Sequence, residues 1–293
     1  MALGPYLLLA TLEGLVTAAV LALMALGLSL VFGVMRIVNV AHGEFFMLGA
    51  VLAWAFSTAV SGHPAIGFAL ALVLSPLVVG AIAFASERIV LQRLGYNPEG
   101  TIVATIGLLY IIQQLALSFY GPEARPVVPP FNFRIALPWF GYSAYKLAVI
   151  GASLVVLAGT WFLLTRTKIG LVMRATQYDR ETAQAFGIPV ERVYAGVFAL
   201  GAMLAAIAAV LVVPIQQAHY LMGRDPLLLS FIVVIIGGLG SLRGTVVAAL
   251  LIGVSDGIIS VFFSPTLAKI IATLLVALVL VFRPQGLFGT AAR

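Results

Sequence analysis

No Asp, Glu, Lys or Arg interrupts residues 65–85 or 270–282, and neither stretch alternates apolar with polar residues. The hydrocarbon core of a bilayer is about 30 Å thick, and about 20 mostly apolar residues cross it as a helix. Within it every backbone N–H and C=O must be paired inside the protein, which leaves helical bundles and closed barrels. Barrel strands alternate apolar and polar positions over about ten residues; these runs do not. A composition of 62% hydrophobic and 9% charged residues agrees, since soluble domains carry roughly a quarter charged residues. The expected fold is an all-α polytopic membrane protein, a bundle of about 8–10 transmembrane helices with broken or re-entrant segments. All 293 residues are expected to form one transmembrane domain.

Apolar runs between polar or Gly/Pro breaks lie near 8–34, 43–61, 64–86, 101–119, 143–164, 193–213, 227–240, 244–263 and 267–283. The run at 227–240 is too short to cross as a straight helix. It is expected to be broken, re-entrant or continuous with its neighbours. Residues 36–49 and 239–253 each place a polar, glycine-bearing break before an apolar run. Transporters built from repeats carry such echoes, and chance produces them in chains rich in Gly, Ala and Leu. No Lys or Arg precedes Arg36, so the charged start of a signal peptide is missing and the first run is expected to stay as a span. The absence of cysteine excludes disulfides and thiol metal sites.

Residues 165–192, TRTKIGLVMRATQYDRETAQAFGIPVER, break the apolar pattern. Arg166, Lys168, Arg174, Asp179, Arg180, Glu181, Glu191 and Arg192 crowd into this one insert of a chain with only 16 basic and 10 acidic residues. Basic residues near span ends mark the cytoplasmic side. With the insert there, alternation puts Arg36, Arg88, Arg93, Arg243, Arg283 and Arg293 with it, and leaves Arg125, Arg134, Arg224 and Lys269 opposite. The C-terminus is thus expected in the cytoplasm and the N-terminus outside. The net charge of +6 sits in loops, with no basic cluster interleaved with aromatics, so nucleic acid is not an expected partner. Between residues 120 and 142, Pro122, Pro126, Pro129, Pro130 and Pro138 favour a stiff, extended external connector.

Within the insert, Ile169, Leu171, Val172 and Ala175 against Arg174, Gln177 and Asp179 follow helical spacing. Gly187 followed by Pro189 is a helix stop. Ala183 and residues 186–188 form a small apolar knob beside charges. Such a helix fits the groove of a soluble motor, or it lies on lipid headgroups with its Arg and Lys against anionic lipid.

Ionisable and amide groups inside a membrane are functional candidates by default. Asn39, His42 and Glu44 fall together where the first run hands over to the second. They either sit at membrane depth, with the N–H groups of the next helix open to a carboxylate, or stay at the interface and cap that helix. Glu13, Gln113, Gln114, Gln216, Gln217 and Asp256 are further candidates. Glu13 and Asp256 are expected to lack a basic partner within a span. The expected path is Asn39, His42, Glu44, Gln113, Gln216, Gly238, Gly240 and Asp256. The glycines of residues 237–244 are expected to permit a tight break between helices. The histidines and carboxylates are too scattered for a metal site. No GxSxG, HExxH or GxxxxGK[ST] motif is present, so no catalytic residue is assigned. If ATP powers this chain, the ATPase is another polypeptide.

Glu181-Thr182-Ala183 followed by Gly187 is similar to the EAA-xxx-G loop of ABC importer permeases, with Thr where Ala is usual. Arg174-Ala175, Asp179, Ala183 and Gly187-Ile188 resemble that loop in the branched-chain amino acid permeases. Further resemblance lies in Asn39-Val40-Ala41-His42-Gly43-Glu44, Ala104-Thr105-Ile106-Gly107, Gly237-Gly238-Leu239-Gly240-Ser241, Gly244 and Arg283-Pro284-Gln285-Gly286-Leu287-Phe288-Gly289. These motifs run in order from about residue 10 to 289, and they look closer to the first of the two permeases such systems pair. The resemblance implies a plasma-membrane subunit working with a second permease, two cytoplasmic ATPases that hold ATP and Mg, and an external binding protein. No cofactor is expected on this chain itself. Arg174, Ala175, Asp179, Glu181, Ala183, Phe186, Gly187 and Ile188 would dock into an ATPase. Relatives of this kind also carry urea, short amides or other amino acids. An ion-coupled secondary transporter is the alternative from a different class.

Overall fold

In the computed structural model, residues 3–60, 62–283 and 285–288 are described. Pro284, Gly289 and Arg293, named above, lie outside them. Eleven α-helices carry the chain, among the described residues: α1 (Leu3–Met35), α2 (His42–Ala59), α3 (Pro64–Ser86), α4 (Pro98–Tyr120), α5 (Ala144–Arg166), α6 (Lys168–Tyr178), α7 (Arg180–Ala185), α8 (Val190–Gln216), α9 (Arg224–Gly237), α10 (Leu242–Phe262) and α11 (Pro265–Phe282). A π-helical turn, Glu87–Leu91, and a 3₁₀ turn, Gln92–Leu94, continue α3. Every predicted apolar run is a helix. Seven of them are long and apolar enough to cross a membrane: α1, α3 with its continuation, α4, α5, α8, α10 and α11.

Burial orders the bundle. The most apolar stretch of α1 is 83% buried and that of α8 is 72%, against 11% for α11. The centre is therefore α1 and α8, and α3, α4, α5 and α11 keep exposed apolar faces. Small residues let the central helices approach closely, which supplies the packing that hydrophobicity cannot provide in lipid. Thr245 of α10 donates to Ser29 of α1 over 3.0 Å within the same contact.

Helices α2 and α9 start inside the bundle, partway along its length. Gly33, near the end of α1, lies against Gly240 at the end of the bundle that carries the insert. His42, the first residue of α2, sits with Nε2 3.0 Å from the Met24 carbonyl. Met24 is eleven residues before Met35, so the chain climbs about 16 Å back along α1 before α2 begins. From there α2 runs to the opposite end, where Trp54 packs on Tyr120. The chain leaving α8 likewise descends, and Gly223, just before α9, meets Gly43 backbone to backbone. The two N-termini face each other in the interior, and the first turn of each carries an acid, Glu44 in α2 and Asp225 in α9. Negative charge there offsets the partial positive charge of the helix ends.

Two expectations are corrected here. Asn39 and His42 do not cap α2: its N-cap is Ala41 with no side-chain cap bond, and both residues are buried, at 1% and 0% exposure. Arg224 does not lie in a surface loop at the far end; it opens α9 beside the Gly43–Gly223 contact. Both departures arise because the connectors fold back into the bundle.

The proline-rich connector is extended, as expected, and is tied down at several points. Arg125 and Ala218 exchange backbone hydrogen bonds of 2.7 and 2.8 Å. The Arg125 guanidinium donates to the Tyr120 carbonyl and stacks over Trp54, 4.5 Å from the ring centre. Strands β1 (Arg134–Ala136) and β2 (Gly141–Ser143) pair antiparallel in the same connector.

Candidate translocation path and coupling helices

A cavity of about 360 Å³ reaches from Pro265 and Gln216 at the connector end down to Met24 and Met222. Its apolar lining includes Val20, Leu21, Phe46 and Leu229, and its polar lining is Glu13, Thr17, Gln216, His219, Asp225, Asp256 and Lys269. Lys269 pairs with Asp225 at 2.5 Å. Glu13 is gripped by Lys146 of α5, with Nζ 2.6 and 2.8 Å from its two carboxylate oxygens. The expectation that Glu13 lacks a basic partner is thereby corrected, whereas Asp256 makes no ion pair among the described residues. Lys146 lies inside the predicted 143–164 run, and Lys269 inside 267–283, each near the end where its ammonium reaches polar company. Charges of both signs above an apolar floor can orient a small zwitterion with an apolar side chain.

The predicted path residues divide into three places. Gln216 and Asp256 line the cavity. Asn39, His42, Glu44 and Gln113 lie buried around the start of α2, where Gln113 donates to Glu44 over 3.5 Å. Both amide atoms of Asn39, Nδ1 of His42 and Oε2 of Glu44 have no hydrogen-bond partner among the described residues. Gln114, one residue on from the buried Gln113, is exposed. Gly238 and Gly240 stand at the insert end, in the α9–α10 turn with φ of 100° and 78°, away from the cavity. That turn is the tight break expected there, and Gln177 of α6 donates to the Gly240 carbonyl at 3.5 Å. His219, Asp225 and Lys269 escaped the sequence reading as path residues because they come from loop and helix ends far apart in the chain.

At the insert end the single expected helix is two, α6 and α7, and this is a further correction. The break is chemical. Asp179 caps α7, accepting from the amides of Glu181 (2.9 Å) and Thr182 (3.1 Å), while the Thr182 hydroxyl donates to its other oxygen at 2.6 Å. The Thr182 hydroxyl bond, then the amide bonds, hold the Asp179 carboxyl below its ordinary 3.8. Thr167 begins α6 in the same way by accepting from the Gly170 amide.

Gly187 ends α7 at φ +79°, with its N–H donating to Gln184 and that of Ile188 to Ala183. This is the pairing of a left-handed helix stop. The knob is also differently built: Ala183 is 4% exposed and faces inward, whereas Phe186 and Tyr178 stand out at 82% and 90%. Arg174 and Glu181 are exposed, and Ala175 and Ile188 half-buried. Two large rings therefore stand exposed on a short, capped helix pair.

Residues 10–280 match the protein family described as "Branched-chain amino acid transport system / permease component". The high-affinity branched-chain amino acid transport system permease protein BraD of Pseudomonas aeruginosa is 27% identical, with 94% of each chain covered. The permease protein LivH of Escherichia coli K12 is 26% identical, again over 94% of each. A probable branched-chain amino acid transport permease of Methanocaldococcus jannaschii is 24% identical over 95% of this chain and 91% of its own. With its apolar helices and a match along nearly its whole length, the chain belongs to the branched-chain amino acid transport system permease family.

Proposed function

We propose that this chain is a permease subunit of an ABC importer for branched-chain amino acids, and that the cavity beneath the proline-rich connector receives the substrate. The observation that carries the reading is the lining: Asp225, Asp256, Glu13 and Lys269 over Met24, Leu21 and Met222. An ammonium, a carboxylate and an aliphatic side chain each find a complement there. The connector end faces outward and receives an external binding protein. The insert end, with the C-terminal segment beside it, faces the cytoplasm, where two separate ATPases supply ATP and Mg and one of them seats on α6 and α7. A second permease completes the pathway, and the whole chain acts as one transmembrane domain with residues 165–192 as its coupling segment.

The test is uptake of radiolabelled leucine into proteoliposomes holding the assembled complex, with and without binding protein and internal ATP. Uptake that needs both, and that falls in Lys269→Met and Asp256→Asn, is the expected result. Uptake driven by an ion gradient without any ATPase would overturn the reading in favour of a secondary transporter.

A further inference from the structure

Arg180, the first residue of α7, places its guanidinium 5.6 Å from the centre of the Tyr96 ring and 5.6 Å from that of Tyr194. The two rings meet edge to face at 4.8 Å. Tyr194 belongs to α8, and Tyr96 to the connector between the 3₁₀ turn and α4. One cation on the coupling helix therefore touches two separate parts of the membrane bundle.

Beyond the rings lies a buried acid. The Tyr96 hydroxyl donates to Glu87 over 2.6 Å. Glu87 is fully buried, and its other oxygen has no hydrogen-bond partner among the described residues. It is also the first residue of the π-helical turn that continues α3. A π-turn inside a long helix is a common mark of a functional position. Tyr96 itself has φ +60°, a left-handed conformation that disfavours a bulky side chain and persists only where its surroundings hold it. The usual reason for such a residue is a turn, which needs glycine or asparagine; neighbouring Gly95, also at φ +60°, already supplies that. Tyr96 is held because its ring and hydroxyl are both in use, and burial with the Glu87 bond pushes its own ionisation well above the ordinary value.

We infer that Arg180, Tyr96, Tyr194 and Glu87 form a mechanical relay from the ATPase-docking helix to α3 and α8, with Arg180 as its positioning residue. The inference rests on the importer reading above. The helices α3 and α8 pack against each other, so one displaced cation acts on both. An open groove of about 450 Å³, lined by Arg88, Gln184, Ile188 and Glu191, leaves α7 free to move beside them. A flat, delocalised guanidinium serves here better than an ammonium because it stacks on aromatic faces. The resemblance-based docking residues do not include Arg180; its role is to carry displacement inward.

The experiment measures leucine transported per ATP hydrolysed in proteoliposomes of the assembled importer, with thermal unfolding of each variant as a control. Arg180→Ala should lower that ratio about two- to fivefold, the scale of one solvent-exposed cation–π contact, and Arg180→Lys should recover part of it. Tyr96→Phe, which keeps the ring and removes the hydroxyl, should give an intermediate ratio. Arg180→Ala combined with Tyr96→Leu should fall no further than the worse single variant, because both act in one chain of contacts. An unchanged ratio in Arg180→Ala, or full additivity in the double variant, overturns the relay and leaves the importer reading intact. A wild-type complex without ATP-driven uptake overturns both.

Discussion

The Ile188 amide donates to the Ala183 carbonyl over 3.1 Å, closing the last turn of α7 from outside the helix. The bond needs Gly187 between the two at φ +79°, where a side chain costs about 1–2 kcal/mol. Gly187→Val should therefore loosen the end of the coupling segment and weaken complex formation with the ATPase, measured by co-purification. Gly187→Asn should be milder, since asparagine also adopts this conformation. The melting temperature of the membrane bundle should not move in either variant, because a side chain at Gly187 meets nothing within 4 Å.

Asp179 gives a second prediction, with a direction in pH. Its carboxyl is lowered by the Thr182 bonds, so its contribution to α7 is present above the ordinary carboxylate value and is lost as pH falls through the lowered one. Amide exchange at Glu181 and Thr182, corrected for its intrinsic pH dependence, should lose protection on acidification. Asp179→Asn should remove that pH dependence and keep the cap, because asparagine caps as well as aspartate. Asp179→Ala should lose the cap at every pH. Protection in Asp179→Ala equal to wild type would rule out the capping role.

A third prediction concerns the meeting of α2 and α9. A Cβ on Gly223 would stand 2.0 Å from the Gly43 carbonyl oxygen, and backbone cannot yield as a side-chain tip can. Gly223→Ala should cost about 1–3 kcal/mol, visible as a lower melting temperature of the detergent-solubilised protein. Gly159→Ala is the control: nothing lies within 4 Å of its added methyl, and helix propensity gains up to about 1 kcal/mol. Equal behaviour of the two would contradict the close approach.

The Lys146–Glu13 pair makes a fourth. Its side chains are 25% and 33% exposed, so the pair is partly screened and its coupling is about 1 kcal/mol or less. A double-mutant cycle of Lys146→Met and Glu13→Gln, read by thermal unfolding, should give a coupling of that size that shrinks in high salt. A coupling of zero in low salt would mean the pair does not hold α5 to α1.

The helices were readable because lipid imposes a simple rule on backbone, and residues such as 65–85 and 270–282 satisfy it in one way only. Gly187 was readable as a stop for a local reason, its place before Pro189. Depth was not readable at residues 36–44, because what lowers α2 into the bundle is contact between His42 and Met24, and no local pattern records it. The break at Asp179 was local yet hidden by the helical spacing that runs through it. Its signal is Asp179 followed three residues on by Thr182, whose hydroxyl returns to it. The cavity lining was legible only in part: Glu13, Gln216 and Asp256 stand out as polar groups in apolar runs, whereas His219, Asp225 and Lys269 join them only after loop and helix ends have packed.

The meeting of α2 and α9 has one more consequence. A continuous transmembrane rod can be opened only by melting its ladder of hydrogen bonds or by tilting it whole. Here α2 and α9 are butted end to end, and no backbone hydrogen bond joins residues 43 and 223 among the described residues. A non-helical connector leads into each, residues 36–41 into α2 and 217–223 into α9. The joint between them can part by sliding, with every turn of both helices left intact.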